Sequence, residues 1–418
     1  MLYRTVPKTG DRLSILGYGF MRLPHSKTGS VDEERAIRQL RSAIDRGVNY
    51  VDTAPAYHFG RSEVILGHAL EGGYRERVRI ATKLPPWSVR SCGDMDRILE
   101  GQLRKLGTGH IDYYLLHALG KESWEKLLGL GVTGFLDAAK RDGRIRNRGF
   151  SFHGDPVTFR EIVDAYDWEF CQIQYNFLDE QNQAGTEGLR YAAAKNLAVI
   201  VMEPLRGGNL AGPVPEEIQG IWNEAPVKRT PAEWGLRWVW DHPGVTVVLS
   251  GMNDEAQIDE NIRSASEALP GSLSQQEREL VGRVRDAYRR LMKVGCTGCG
   301  YCMPCPAGVN IPECFSLYNS HALFPQNREI PFKYIGHLGG ALGNRAYAGL
   351  CQRCGKCERI CPQHLPVPDL LSEVSREMEG RTLGMKVLAV KGALWCMDLA
   401  GKISRTVSGR SERKRCEA

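Results

Sequence analysis

The chain contains no run of about 18 uncharged apolar residues, the length a helix needs to cross a membrane, so no spanning helix is expected. Met1 to Gly10 is polar and carries Arg4 and Lys8, unlike a secretory signal, so none is expected. A reducing, cytoplasmic setting is therefore expected. The body has no excess charge. Of 55 Lys/Arg and 49 Asp/Glu, the last 38 residues hold nine and three, so the net +6 belongs to the tail. A nucleic-acid-binding body would be basic, so no nucleic-acid partner is expected.

Cysteine is abundant, and eight of the 13 fall in two bursts. The first is Cys296, Cys299, Cys302 and Cys305 followed by Pro306; the second is Cys351, Cys354, Cys357 and Cys361 followed by Pro362. The second is C-x2-C-x2-C-x3-C-P, the run by which bacterial ferredoxins hold iron–sulfur clusters, with the fourth cysteine serving the other cluster in two-cluster domains. The first differs only in its last gap, which leaves the role of Cys305 open. Zinc sites use separated pairs rather than four cysteines in one run, and disulfides need an oxidising compartment. Two 4Fe-4S clusters, or one at least, are the expected cofactors. Cys92, Cys171, Cys314, Cys396 and Cys416 read as ordinary thiols, with Cys314 near enough to the first burst to be a substitute ligand.

From Leu13 to about Ala268, short apolar runs alternate with amphipathic helical patterns. The strand candidates are Leu13–Leu16, Val48–Asp52, Val78–Lys83, Ile111–His117, Ile145–Ser151, Phe170–Gln174, Ala198–Glu203 and Val245–Ser250. Helices are expected over Val31–Arg46, Asp94–Leu106, Trp124–Arg141, Thr186–Lys195 and Pro231–Asp241. Eight strand–helix units in about 260 residues predict an α/β chain with a closed (β/α)8 TIM barrel. A doubly wound open sheet is the alternative, weakened because no G-x-G-x-x-G follows the first strand. The expected domains are a barrel over 1–270, a linking helix over 271–293, a 4Fe-4S ferredoxin-like domain over 294–380 and a basic tail over 381–418. The linking helix has a capping-box start, Ser274 to Glu277, then Leu280, Val281, Val284 and Tyr288 at helical spacing. The tail has a candidate helix from Met385 to Leu399; such a helix docks on its own domain more often than on a membrane surface.

Catalytic groups of a barrel project from the C-terminal ends of its strands. Those ends give Asp52 with nearby Tyr57, then Lys83, then His117. A tyrosine beside a lysine is a plausible general acid, the ammonium lowering the phenol pKa while the aspartate pairs the lysine. The histidine can orient a carbonyl oxygen. A lone lysine at a strand end is most often a solvated rim charge; four such groups at adjacent ends are harder to explain that way.

The segments VDTAPAY (51–57), ATK (81–83) and DYYLLH (112–117) resemble the motifs of the aldo-keto reductase family, and the likeness extends over about residues 1–268. The whole chain is similar to the bacterial and archaeal branch with a C-terminal ferredoxin-like domain. The resemblance implies Tyr57 as proton donor, Asp52 and Lys83 tuning it, His117 orienting a substrate carbonyl, and hydride transfer from NADPH or NADH. It implies that Ser151 and Gln174 hold the nicotinamide amide, with Phe152 where the family has asparagine. Met202 stands where many members stack a tyrosine on the ring, and Leu205, Arg206 and Gly207 would line the pyrophosphate. Ser250, Gly251, Gln257 and Asn261 keep the adenosine side. Gly251 and Gln257 replace the usual cations for a 2′-phosphate, which favours NADH, since charge-assisted pairs are the strong ones.

Nicotinamide gives two electrons at once and a cluster passes one, so a flavin could mediate, although no flavin fingerprint is evident. Alternatively a ferredoxin or other redox partner feeds the clusters, or the clusters are structural. Two functions stay open. One is an iron–sulfur oxidoreductase interconverting a small carbonyl and its alcohol; the other is an electron-transfer or docking subunit with a non-catalytic barrel. Trp87 and Trp124 could line an apolar pocket or pack at the surface.

Overall fold

The computed structural model describes residues 1–26, 30–208, 210–212, 214–296, 302–341, 344–361 and 365–392. The chain divides into two compact units, Met1–Ala287 and Tyr288–Ala418.

The first unit opens with an antiparallel hairpin, β1 (Tyr3–Thr5) and β2 (Arg12–Ser14). Eight parallel strands follow: β3 (Leu16–Gly19), β4 (Tyr50–Asp52), β5 (Arg79–Leu84), β6 (Ile111–Leu119), β7 (Ile145–Phe152), β8 (Phe170–Gln174), β9 (Ala198–Met202) and β10 (Val245–Ser250). They pair in chain order, and β10 closes the barrel between β9 and β3. The run AVIVM of β9 is apolar throughout, and VTVVLS of β10 is interrupted only by Thr246 and Ser250, because such strands are covered on both faces. The interior packs Tyr50, Ala81, Tyr113, Leu115, Phe170, Ala198, Ile200, Val247 and Leu249, to which the hairpin adds Val6 and Leu13.

Seven of the expected strands begin within two residues of the observed start and end within two of the observed end; the first differs by three residues at each end. Leu13 belongs to the hairpin, and the barrel strand starts only at Leu16. Between them the Ser14 hydroxyl donates to the Leu16 carbonyl at 2.7 Å and the Ser14 amide donates to the Asn49 side chain at 2.7 Å, turning the chain. Apolar periodicity alone does not separate a hairpin strand from a barrel strand. Val48 precedes β4, which begins at Tyr50. The expected helix Trp124–Arg141 is two helices, Lys121–Gly129 and Val132–Arg141, because Gly131 takes a left-handed φ of 76° between them.

The helix Gln275–Leu291 opens with the expected box: the Ser274 amide donates to Glu277 at 2.8 Å, and the Glu277 amide to the Ser274 hydroxyl at 3.2 Å. Leu280, Val281, Val284 and Tyr288 are all buried. The division between the two units falls within this helix.

The second unit is helical, with Ile311–Leu323, Glu329–Lys333, Lys356–Ile360 and Val367–Val374, and two π-helical turns at Tyr334–Leu338 and Ser375–Glu379. Its core includes Val309, Ile311, Cys314, Phe315, Tyr318, Leu371 and Val374. The expected tail helix is helical through residue 392, and the rest of it lies outside the described residues. Among the described residues no helix is long and apolar enough to cross a membrane.

Candidate active site and cysteine centre

Parallel pairing brings the C-terminal ends of β4, β5 and β6 side by side, and with them the four expected groups. The Lys83 ammonium donates to Asp52 Oδ1 at 2.6 Å and to the Thr53 carbonyl at 2.9 Å, and both side chains of the ion pair are buried. Tyr57 lies in the 3-10 turn after β4, half-buried, with Lys83 Nζ 5.1 Å from its ring centre. The His117 ring stands 6.2 Å from the Tyr57 ring, edge to face, and Trp87 covers it at 5.1 Å.

The electrostatics differ in one respect from the sequence expectation. Burial raises the Tyr57 pKa; Lys83 pulls it down, but Asp52 and Glu203 add to the rise, so the phenol stays protonated above its ordinary range. Burial opposes the Lys83 charge, yet Asp52 and Tyr57 outweigh it and hold the ammonium above the ordinary lysine range. Asp52 is raised by burial, with Lys83 pulling back. His117 is driven well below the ordinary histidine range by burial, then by Lys83 and His153, so its imidazole is neutral. Two buried atoms here, Asp52 Oδ2 and His117 Nδ1, have no hydrogen-bond partner among the described residues.

The backbone around these groups is strained. His58 (φ 47°), Phe59 (φ 55°) and Ala118 (φ 50°) immediately follow Tyr57 and His117, and Glu203 (φ 53°) and Arg206 (φ 49°) follow β9. Non-glycine residues in this region concentrate where surrounding structure enforces a working geometry.

The expected cofactor positions divide. The Ser151 hydroxyl, buried on β7, accepts the Ala118 amide at 2.7 Å. The Gln174 amide is held internally: it donates to Asp179 at 2.9 Å and accepts from Gln183 at 2.5 Å. Met202, at the end of β9, receives the Gln172 amide at 3.5 Å. Leu205 seats its Cδ2 on the helix Pro231–Trp240, 2.6 Å from where a Cβ on Gly235 would stand. Ser250 accepts from Asn261 at 3.0 Å, and Gln257 accepts the Asn253 amide at 3.2 Å.

The remaining features fit an anionic ligand. Arg206 pairs with Asp179 at 3.2 Å, and its buried Nη1 has no partner among the described residues. Arg22 lies against both Gly207 and Gly251: a Cβ on Gly207 would come 3.2 Å from its guanidinium, and one on Gly251 3.1 Å from its Cβ. Arg22 was not expected. It lies three residues past the end of β3, and placing that strand at Leu13–Leu16 hides its proximity to a strand end. Glu203 also escaped notice, although it directly follows β9. Trp124 packs on Trp168 and is buried, while Trp87 is 57 % exposed at the mouth.

In the second unit, Cys299 and the tail cysteines Cys396 and Cys416 lie outside the described residues. Cys357 is buried, and burial raises its thiol pKa, with Cys351 and Cys305 adding to the rise. Cys305 of the first burst is thus within electrostatic reach of the second. The Cys351 sulfur accepts the Arg353 amide at 3.4 Å, a bond type that tunes iron–sulfur centres. Among the described residues no three His, Cys, Asp or Glu side chains are gathered tightly enough for a single metal ion. A cluster presents a separate iron to each thiolate, so its ligands stand further apart than those of one ion. The all-cysteine donor set is of the kind that holds iron–sulfur clusters.

The model of the aldo/keto reductase family matches residues 15–276, and that of a 4Fe-4S dicluster domain matches 295–368. The aldo-keto reductase YhdN of Bacillus subtilis is 28 % identical over 299 residues, covering 62 % of this chain and 87 % of that protein. The NADH-specific methylglyoxal reductase of Escherichia coli is 26 % identical over 310 residues, covering 63 % and 91 %. The solved holo form of aldo-keto reductase AKR11C1 from Bacillus halodurans is 25 % identical with a TM-score of 0.57, covering 68 % and 96 %. The barrel, the matched segments and an added iron–sulfur domain agree: this oxidoreductase chain belongs to the aldo/keto reductase family.

Proposed function

We propose that the chain interconverts a small carbonyl compound and its alcohol at the mouth of the barrel, with Tyr57 as the proton donor and 4Fe-4S clusters carrying electrons to or from the protein. The observation that carries this is the buried Asp52–Lys83 pair beneath Tyr57, facing a neutral His117. Neutral imidazole can donate a hydrogen bond to a carbonyl oxygen without placing a second cation beside Lys83. Tyr57 gives its proton to that oxygen as the carbon is reduced, and the Lys83 ammonium stabilises the phenolate left behind. Asp52 holds the ammonium in place. Nicotinamide, when bound, supplies the hydride. Arg206, Gly207 and Arg22 would hold its diphosphate, Ser151 its amide, and Ser250, Gln257 and Asn261 its adenosine end.

NADH is favoured over NADPH by Gly251 and Gln257, and one relative is named for its NADH specificity. Cys296, Cys299, Cys302, Cys305, Cys351, Cys354, Cys357 and Cys361 are the proposed cluster ligands, Cys305 serving the cluster of the second burst. A ferredoxin-type protein is the proposed external electron carrier.

Tyr57→Phe is expected to lower kcat by roughly 10²–10⁴-fold, the usual contribution of a general acid, with unchanged iron content and folding. Wild-type turnover in that variant would remove the barrel from the chemistry.

One observation favours a second reading. Gln174 is already engaged by Asp179 and Gln183, so its amide is not presented to a nicotinamide. In that case reducing equivalents would come through the clusters alone. Anaerobic titration with NADH and NADPH separates the two, since binding of neither nucleotide leaves only the cluster route.

A further inference from the structure

Glu379 is 4 % exposed and sits in the second unit, away from the cysteine runs in sequence. Three groups donate to it: the Tyr334 hydroxyl to Oε1 at 2.7 Å, the Gly349 amide to Oε1 at 3.0 Å and the Ser375 hydroxyl to Oε2 at 2.8 Å. The Tyr334 hydroxyl itself accepts the Ala348 amide at 3.1 Å, which directs its proton toward Glu379. Every partner therefore donates, the pattern that suits an ionised, acceptor-only carboxylate. Among the described residues Glu379 forms no ion pair with a lysine, arginine or histidine. A buried anion held by neutral donors retains more of its field than one beside a cation.

Glu379 lies against the backbone that leads into the second cysteine burst. Ala348 and Gly349, which are held by Tyr334 and Glu379, lead directly into Cys351, whose amide donates to the Ala348 carbonyl at 3.0 Å. The approach is close: a Cβ on Gly349 would lie 2.5 Å from Glu379 Oε2, so only glycine admits the carboxylate here. Tyr334 opens one π-helical turn and Glu379 ends the other. Such turns are rare and concentrate at functional sites. Nothing in the sequence motifs points to either residue.

We propose that Glu379 is a potential-setting residue for the cluster held by Cys351, Cys354 and Cys357: its charge, aimed at the Cys351 loop, makes one-electron reduction of that cluster harder. The proposal rests on reading the two cysteine bursts as cluster ligands. Each added electron makes the cluster more negative, and a fixed anion beside it opposes that step. Glu379 also positions the loop through Gly349, so the test must separate charge from position.

Glu379→Gln does so. The amide can keep its oxygen toward Tyr334 and Gly349 while its nitrogen donates to a rotated Ser375 hydroxyl. Anaerobically purified protein would be titrated with dithionite while electron paramagnetic resonance follows each cluster. In E379Q, with iron and sulfide equal to wild type, one cluster is expected to become at least tenfold easier to reduce, about 59 mV for one electron. The other should move less. Unchanged potentials at full iron content overturn the proposal. If E379Q loses iron, Ser375→Ala decides, because it keeps the charge and removes one donor that tempers it. The same cluster must then become harder to reduce, and no movement overturns the proposal. Wild-type protein that binds neither iron nor sulfide would instead overturn the ligand reading beneath it.

Discussion

Two buried carboxylates, each facing a cation, stand at opposite ends of the barrel. At the N-terminal end of β6, Asp112 has a partner at each oxygen: Oδ2 accepts from Arg75 at 2.8 Å and from the Ile80 amide at 3.0 Å, while Oδ1 faces His110 at 3.5 Å, with Arg79 and Arg146 within 4.0 Å. At the C-terminal end of β4, Asp52 uses one oxygen on Lys83 and leaves the other without a partner, as His117 leaves Nδ1. Burying a polar atom unpaired costs stability, so an arrangement that keeps two such atoms together is there for some other reason. The lower end of a barrel serves stability and the upper end chemistry. Here that division is visible in which valences are filled.

Lys83→Met should break the comparison most sharply. Tyr57 would lose the cation that stabilises its phenolate, and kcat on any turned-over carbonyl should fall by roughly 10²–10⁴-fold. Asp52 would be left buried without its partner, at about 3 kcal/mol, the low end for an orphaned ion because Asp52 can take up a proton. Adding Asp52→Asn should recover most of that stability, read by denaturant unfolding, and none of the turnover. Recovery of turnover in the double variant would show that the pair is structural, like its counterpart below.

Asp112→Asn is the reverse case. Arg75 and the Ile80 amide lose a charged acceptor, and stability should fall by about 2 kcal/mol, typical of hydrogen bonds to charged groups. Turnover per folded molecule should stay within about twofold of wild type, since nothing at the upper mouth touches Asp112. A tenfold loss of kcat in folded protein would end the distinction between the two ends.

The two ends were not equally legible from sequence. Asp52, Tyr57, Lys83 and His117 could be found together because the strand-end rule applies wherever a strand is placed correctly, and β5 and β6 were. Arg22 was missed because β3 was set three residues early. Asp112 lay inside a quoted motif, yet its partner Arg75 comes from a short 3-10 turn with no apolar period to mark it. The cysteine bursts were legible because their ligands are close in sequence, whereas Glu379 meets Gly349 across 30 residues and carries no pattern. Engagement of Gln174 was beyond reach for the same reason, since Gln183 comes from the segment after β8 and takes a left-handed φ of 56° to meet it.

The smallest expected effect compares the histidines at the two ends. Both have pKa values lowered chiefly by burial. His117 lies well below the ordinary range because Lys83 and His153 add to the effect, whereas Asp112 partly restores His110. An unfolded histidine titrates near about 6.5. Above that pH neither state takes the proton, and stability does not depend on these groups. As pH falls below it, the unfolded chain binds a proton that the folded chain refuses, and stability is lost until the folded pKa is reached. Acidification from pH 7.5 to 5 should therefore lower Tm in the wild type. His117→Gln should remove more of that pH dependence than His110→Gln, measured as the difference in Tm between the two pH values. Equal effects would mean that His117 is no more reluctant to ionise than a rim histidine. The neutral imidazole that the carbonyl chemistry requires would then have lost its electrostatic support.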